Sequence, residues 1–162
     1  MDANATTKAP RFIYEVECVG ADGQVKWTER IENLVTTVGK TDLIDKYFKG
    51  SAYTAAWYLG LKGTGTAAVG DTLASHAGWA EVNPYTGNRP AITFGTTAAG
   101  SNTATAVSFS ITVAGPTTVA GAFVASVNTG TSGLLYSAGD FAVSRSVVAG
   151  DTLNVTLTVS AS

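Results

Sequence analysis

Residues 53–61 read YTAAWYLGL, the most apolar nine-residue run in the chain. Three of the nine are aromatic, none is charged and none is proline. A run of this length, rich in aromatics and bounded by glycine and serine, fits a buried central strand better than a helix. Gly50-Ser51 opens it, and the glycine-rich GLKGTGTAAVG of residues 60–70 closes it. The run also divides the charge. Residues 1–62 hold eight Lys/Arg and eight Asp/Glu; residues 63–162 hold only Arg89 and Arg145 against Asp71, Glu81, Asp140 and Asp151.

Downstream the pattern stays that of strands. Residues 104–113 (ATAVSFSITV) alternate strictly, with Val107, Phe109, Ile111 and Val113 on one face. Residues 118–127 form the next strand, with Gly121 marking a bulge or a close backbone approach. Residues 133–136, 141–148 and 153–159 continue the series, and the last alternates cleanly enough to pair deep in a sheet. Between these and the central run, residues 71–77 (DTLASHA) predict one helical turn capped by Asp71. Residues 78–82 and 89–94 predict strands on either side of the turn-dense NPYTGN of 83–88, with Pro90 placing the second at an edge or a strand start.

Upstream, residues 12–19 (FIYEVECV) and 24–31 (QVKWTERI) alternate on either side of Asp22-Gly23, the signal of a tight hairpin. Residues 41–49 (TDLIDKYFK) predict the one helix, with Thr41 as N-cap. Its residues Leu43, Ile44, Tyr47 and Phe48 form an apolar stripe that needs a β-core to pack on. Strands recurring every 8–14 residues predict a mainly-β fold. The expected architecture is an antiparallel β-sandwich, jelly-roll-like, with an N-terminal β-hairpin and one short α-helix. The expected organisation is a flexible arm over 1–10, hairpin plus helix over 11–50, and a β-sandwich domain over 51–162.

Composition excludes several classes of function. The net charge is −2, from 10 Lys+Arg against 12 Asp+Glu, with no basic cluster, which argues against a nucleic-acid partner. No apolar run approaches the ~18–20 residues that span a bilayer. The start, MDANATTKAP, has no apolar core and does not read as a secretory signal. Cys18, the single cysteine, cannot form an intrachain disulfide, and it falls on the side of Phe12, Tyr14 and Val16, where an inert buried thiol is expected. Six charges in a hundred residues make a poorly solvated surface for a free monomer, so much of that surface is expected to lie against neighbours.

The candidate chemistry is thin. With one histidine, His76, and one cysteine, no zinc site of ordinary composition can be built in one chain. No Gly-x-Ser-x-Gly elbow is present. Residues 63–68 (GTGTAA) match a dinucleotide fingerprint only formally, because Val69-Gly70-Asp71 breaks the helix that fingerprint needs. Asp140 and Asp151 follow glycines at turn positions and read as turn-stabilising groups. No catalytic residue, cofactor or metal is expected. Trp27, Trp57, Trp79, Tyr85 and Tyr136 could make a sugar-stacking platform, although core packing is the plainer use of such rings.

Several short motifs in fixed order carry a resemblance. They are WYLGL (57–61), GDTLASHAGWAE (70–81), Arg89-Pro90, Gly121-Ala122-Phe123, YSAG (136–139) and GDTLNV (150–155). Over residues 53–159 the chain resembles a group of small β-rich proteins encoded in the structural-gene modules of tailed bacteriophages. The resemblance implies a virion component: a capsid decoration (cement) subunit that binds the major capsid protein and copies of itself, as a trimer at threefold positions, or else a neck or tail accessory subunit. Members begin near the WYLGL strand or carry other N-terminal segments, which makes residues 11–50 the part specific to this chain's partner. Thr6, Lys8, Pro10 and Arg11, in an arm that orders on the shell, and Tyr85 and Arg89 are the candidate partner contacts. The alternative from another class is a host-glycan-binding module of a tail fibre.

Overall fold

The computed structural model describes residues 10–53 and 55–161. Its strands are β1 (Arg11–Val19), β2 (Val25–Glu32), β3 (Leu34–Val35), β4 (Tyr58–Lys62), β5 (Glu81–Val82), β6 (Ser101–Thr103), β7 (Val107–Ser110), β8 (Thr117–Ala125), β9 (Leu135–Val147) and β10 (Thr152–Ser160). One helix, α1 (Thr37–Tyr47), lies between β3 and β4. Two antiparallel sheets result. The first runs β2-β1-β10-β6, with β7 also on β10; the second runs β3-β9-β8-β4-β5.

The sheets face each other as a sandwich over one apolar core. Alternation puts Phe12, Tyr14, Val16 and Cys18 of β1 inside, with Leu153, Val155 and Leu157 of β10 beside them. Leu59, Leu61, Ala122, Val124 and Tyr136 face them from the second sheet. The Tyr14 hydroxyl crosses the core to within 3.0 Å of Ser137 Oγ, and burial lifts this phenol far above its ordinary pKa. The hairpin expected over 11–31 is β1 and β2, turning through Gly23 at φ 77°. β1 pairs with β10 along its whole length, from Arg11↔Ser160 to Val19↔Thr152, so β10 is an inner strand as its alternation predicts.

The second sheet is buried on both faces over β4, most of β8 and the first half of β9. Residues 63–80 bring Leu73 and Trp79 onto its outer side, where they pack with Phe123, Ala125, Leu135 and Ala138 as a second, smaller core. A strand covered twice has no solvent face, which is why its sequence reads as an apolar run without alternation. The rungs Lys62↔Gly121 and Gly121↔Asp140 place a lysine, a glycine and an aspartate in line across β4, β8 and β9. The register shifts beside Gly121, as expected of a glycine in that strand.

Several boundaries differ from the sequence reading. The run at 53–61 becomes strand only from Tyr58, and β8, not β4, holds the centre of the sheet. Residues 89–94 form only isolated bridges, Tyr58↔Ala91 and Phe94↔Ala104, because Pro90 has no N–H to continue a ladder. Residues 133–136 and 141–148 are not two strands. Most of both lies in β9, which runs through Gly139-Asp140 because the Asp140 side chain is bonded across the sheet instead of turning the backbone. Residues 72–75 close a β-turn by the bridge Thr72↔Ser75, with no helical turn. The helix begins earlier than read. Its N-cap is Thr36, whose Oγ1 accepts the Gly39 N–H at 3.0 Å and donates to the Leu135 carbonyl at 2.6 Å, while Thr41 lies one turn inside.

Gly60 tests this packing. A Cβ there would overlap the Phe123 ring, which is fully buried and cannot move aside. Gly60→Ala should destabilise the protein by about 1–3 kcal/mol in urea unfolding. Gly70→Ala, where a Cβ meets open space, should stay within ~0.5 kcal/mol. Equal effects at the two positions would contradict the double burial of β4.

Candidate functional site

The charges after residue 62 come first, since they are few. Each is bonded within the chain. Arg89 makes a two-pronged pair with Glu81, at 2.8 and 2.6 Å, and donates to the carbonyls of Val127 and Gly130. Arg145 donates to Glu29 at 2.6 and 2.8 Å. Asp140 binds Lys62 at 2.7 Å, and Asp151 binds Lys26 at 2.7 Å. Asp71 accepts the Ala68 N–H and the Trp79 indole N–H, both at 2.8 Å. Three of the cations also lie over rings: Lys62 over Trp79, Arg89 over Phe123 and Arg145 over Trp27. Among the described residues beyond Lys62, no ionised side chain is left without a partner.

These contacts explain where the titratable groups went. His76 stacks on Trp79 at 4.0 Å between ring centroids, and its Nδ1 lies 2.9 Å from the Trp79 carbonyl oxygen. Cys18 is fully buried, and burial with the neighbouring Asp151 pushes its thiol up to about 11, far from thiolate reactivity. No three His, Cys, Asp or Glu side chains gather among the described residues.

The second feature is the helix. Its N-terminal half is seated: Thr36 is buried against β9, and a Cβ at Gly39 would sit 2.5 Å from the Tyr136 carbonyl oxygen. Its C-terminal half is the more exposed, and the chain turns off at Gly50, φ 69°. The stripe expected to pack on the core does not. Leu43 is half-buried, but Ile44, Tyr47 and Phe48 are 52%, 79% and 74% exposed. The reason is the earlier start: fixing Thr36 and Gly39 on β9 turns Asp42, Leu43 and Lys46 inward and the aromatic residues out.

Beside that half lies a cavity of about 400 Å³. Asp42, Leu43 and Tyr47 form its helix side; Tyr53, Trp57 and Tyr136 form the facing wall. The wall is rigid. Trp57 packs edge-on to Tyr136 at 5.1 Å and donates its indole N–H to the Tyr53 hydroxyl at 2.8 Å. Burial, and after it the charge of Asp42, pushes the Tyr136 phenol up to about 12, so it stays a neutral donor. This surface can hold apolar matter; it has no poised acid–base pair.

The sequence-predicted contacts are scattered. Thr6 and Lys8 lie outside the described residues. Pro10 and Arg11 stand at the start of β1, where Arg11 is half exposed and pairs with Glu32. Tyr85 packs on Phe109 inside the core, and Arg89 is 5% exposed, so neither offers its side chain outward. Of the five rings considered as a sugar platform, only Trp57 and Tyr136 meet; Trp79 and Tyr85 are buried elsewhere and Trp27 packs on Phe141. Tyr47, Phe48 and Tyr53 lie in stretches whose apolar character predicts core, and that character alone does not mark them as surface. No family model, curated protein or solved structure matches the chain.

The Lys26–Asp151 pair sets a pH dependence. Burial works against the Asp151 charge, but the Lys26 hydrogen bond, the Val148 N–H and the Lys26 charge together hold its pKa below the usual carboxylate value. Its contribution is complete above the unfolded value of about 4 and is lost as pH falls through the lower folded value. Asp151→Asn should cost about 1–2 kcal/mol at neutral pH, a discounted figure because Lys26 is partly in water. It should also flatten the fall in stability below pH ~4. Chemical unfolding measured across pH checks both.

Proposed function

We propose that this protein is a non-enzymatic structural subunit of a tailed-phage virion, a decoration protein that lies on the head and binds the major capsid protein. The observation that carries the reading is the internal pairing of every described charge beyond Lys62. Covering a surface strands any ion that lacks a partner, at a cost of several kcal/mol. A surface whose ions already have partners within the chain can be covered with much less of that penalty. The sandwich adds a rigid body that needs no cofactor to fold. The phage-protein motifs WYLGL and GDTLASHAGWAE fall in β4 and in the segment that covers the second sheet, so the resemblance rests on the scaffold.

The test is co-sedimentation with expanded capsids, with labelled virions imaged in negative stain. Binding to heads is expected. The surface beyond Lys62 carries no unpartnered charge among the described residues, so a contact made through it should change in affinity less than about twofold as salt rises from ~0.05 to ~0.5 M. Label on tails, retention on a glycan array without capsid binding, or a steep salt dependence would each overturn the reading.

A further inference from the structure

The exposed end of α1 carries an inference that goes beyond shell binding and does not rest on it. Ile44, Tyr47 and Phe48 lie at i, i+3 and i+4, on one outward face, and Tyr53 continues the patch at 54% exposure. The Tyr47 and Phe48 rings pack edge-to-face at 5.0 Å and project together. At roughly 150–250 Å² for a whole aromatic side chain, the four residues offer on the order of 500 Å² of apolar surface. That is near the upper limit for a monomer's largest patch, about 300–600 Å². It is also more than half of the ~800 Å² that each partner gives to a standard interface.

The same face holds the receiving feature. The cavity beside the helix opens next to the projecting pair and shares Tyr47 with it. Knob and hollow are therefore adjacent parts of one surface. A two-fold contact needs this, because each copy must present both halves of the match at once. The cavity itself includes one acid, Asp42, which the contact must leave open to water; the bordering lysines do not obstruct it. Lys49 pairs with Asp45 at 2.8 Å and Lys46 donates to the Ala52 carbonyl at 2.7 Å, so both lysines are satisfied within the chain.

We propose that α1 is the centre of a two-fold interface between copies of this chain, in which Tyr47 and Phe48 of each copy cover the cavity of the other. This differs from the threefold association that the phage resemblance implies. It also gives the unsupported half of the helix a packing partner, which a helix of this length requires.

Sedimentation velocity of the full chain, free of any shell, tests it. The expected species has twice the 16.5 kDa mass of one chain across micromolar concentrations. Phe48→Asp should weaken association about tenfold or more. It should leave the far-UV spectrum and the unfolding transition of the dissociated chain unchanged, since Phe48 is largely in water. Val25→Asp, at an exposed apolar position on β2, should leave the dimer intact. A monomer at all concentrations, a trimer, a dimer indifferent to Phe48→Asp, or equal dissociation by Val25→Asp would overturn the proposal. None of these outcomes bears on whether the protein binds a capsid.

Discussion

Lys62 is the interaction on which the second sheet depends. Its side chain is wholly enclosed, yet it carries a charge, so its surroundings must satisfy that charge completely. They do so in a particular way. The chain passes over Gly121, where a Cβ would press on the lysine stem and overlap the Gly139 carbonyl. Beyond the glycine it reaches Asp140 on the next strand, and it also donates to the Gly63 and Gly65 carbonyls. Trp79 closes over it. One ammonium thus joins three strands to the loop that covers them. Removing Asp140 would leave the enclosed ammonium uncompensated, which is far more damaging than losing the attraction itself.

The same economy runs through the molecule. Arg89 and Arg145 each sit between an acid and an aromatic ring, one beside Phe123 and the other beside Trp27. Arg145 with Glu29 also joins the two sheets, since one lies on β9 and the other on β2. Charges that would ordinarily make a surface soluble have been spent on joints. Beyond Lys62 what remains outside is mostly Thr, Ser, Ala and Gly, with little to repel a neighbour or attract an ion, whereas Glu15, Asp22, Arg30, Glu32 and Lys40 keep the N-terminal part charged. The aromatic end of α1 adds an apolar patch to that part.

The sequence made the strands legible wherever one face is wet. β1, β2, β7 and β10 alternate, and alternation fixes both their type and their inward residues. It was less informative where both faces are dry. There the boundaries of β4 and β9 are set by pairing with distant segments, and Gly139-Asp140 looks like punctuation until Lys62 is seen to hold it. The helix failed differently. Thr36 and Thr41 are equally good caps by residue type; only the Leu135 and Tyr136 carbonyls, about a hundred positions away, select Thr36. That choice rotates the helix and turns a supposed core stripe into a surface. The aromatic patch therefore lay beyond local reading, whereas Cys18 did not, because its strand had already placed it.

The pairing of β1 with β10 has a mechanical consequence. Arg11 stands opposite Ser160, so the described backbone enters and leaves at one corner. Tension between those two points would open the ladder rung by rung from that corner, loading only a pair of hydrogen bonds at a time. A pull along the strand axes from opposite ends would have to shear all nine rungs together. The β1–β10 seam therefore resists shear along its strands far better than peeling from that corner.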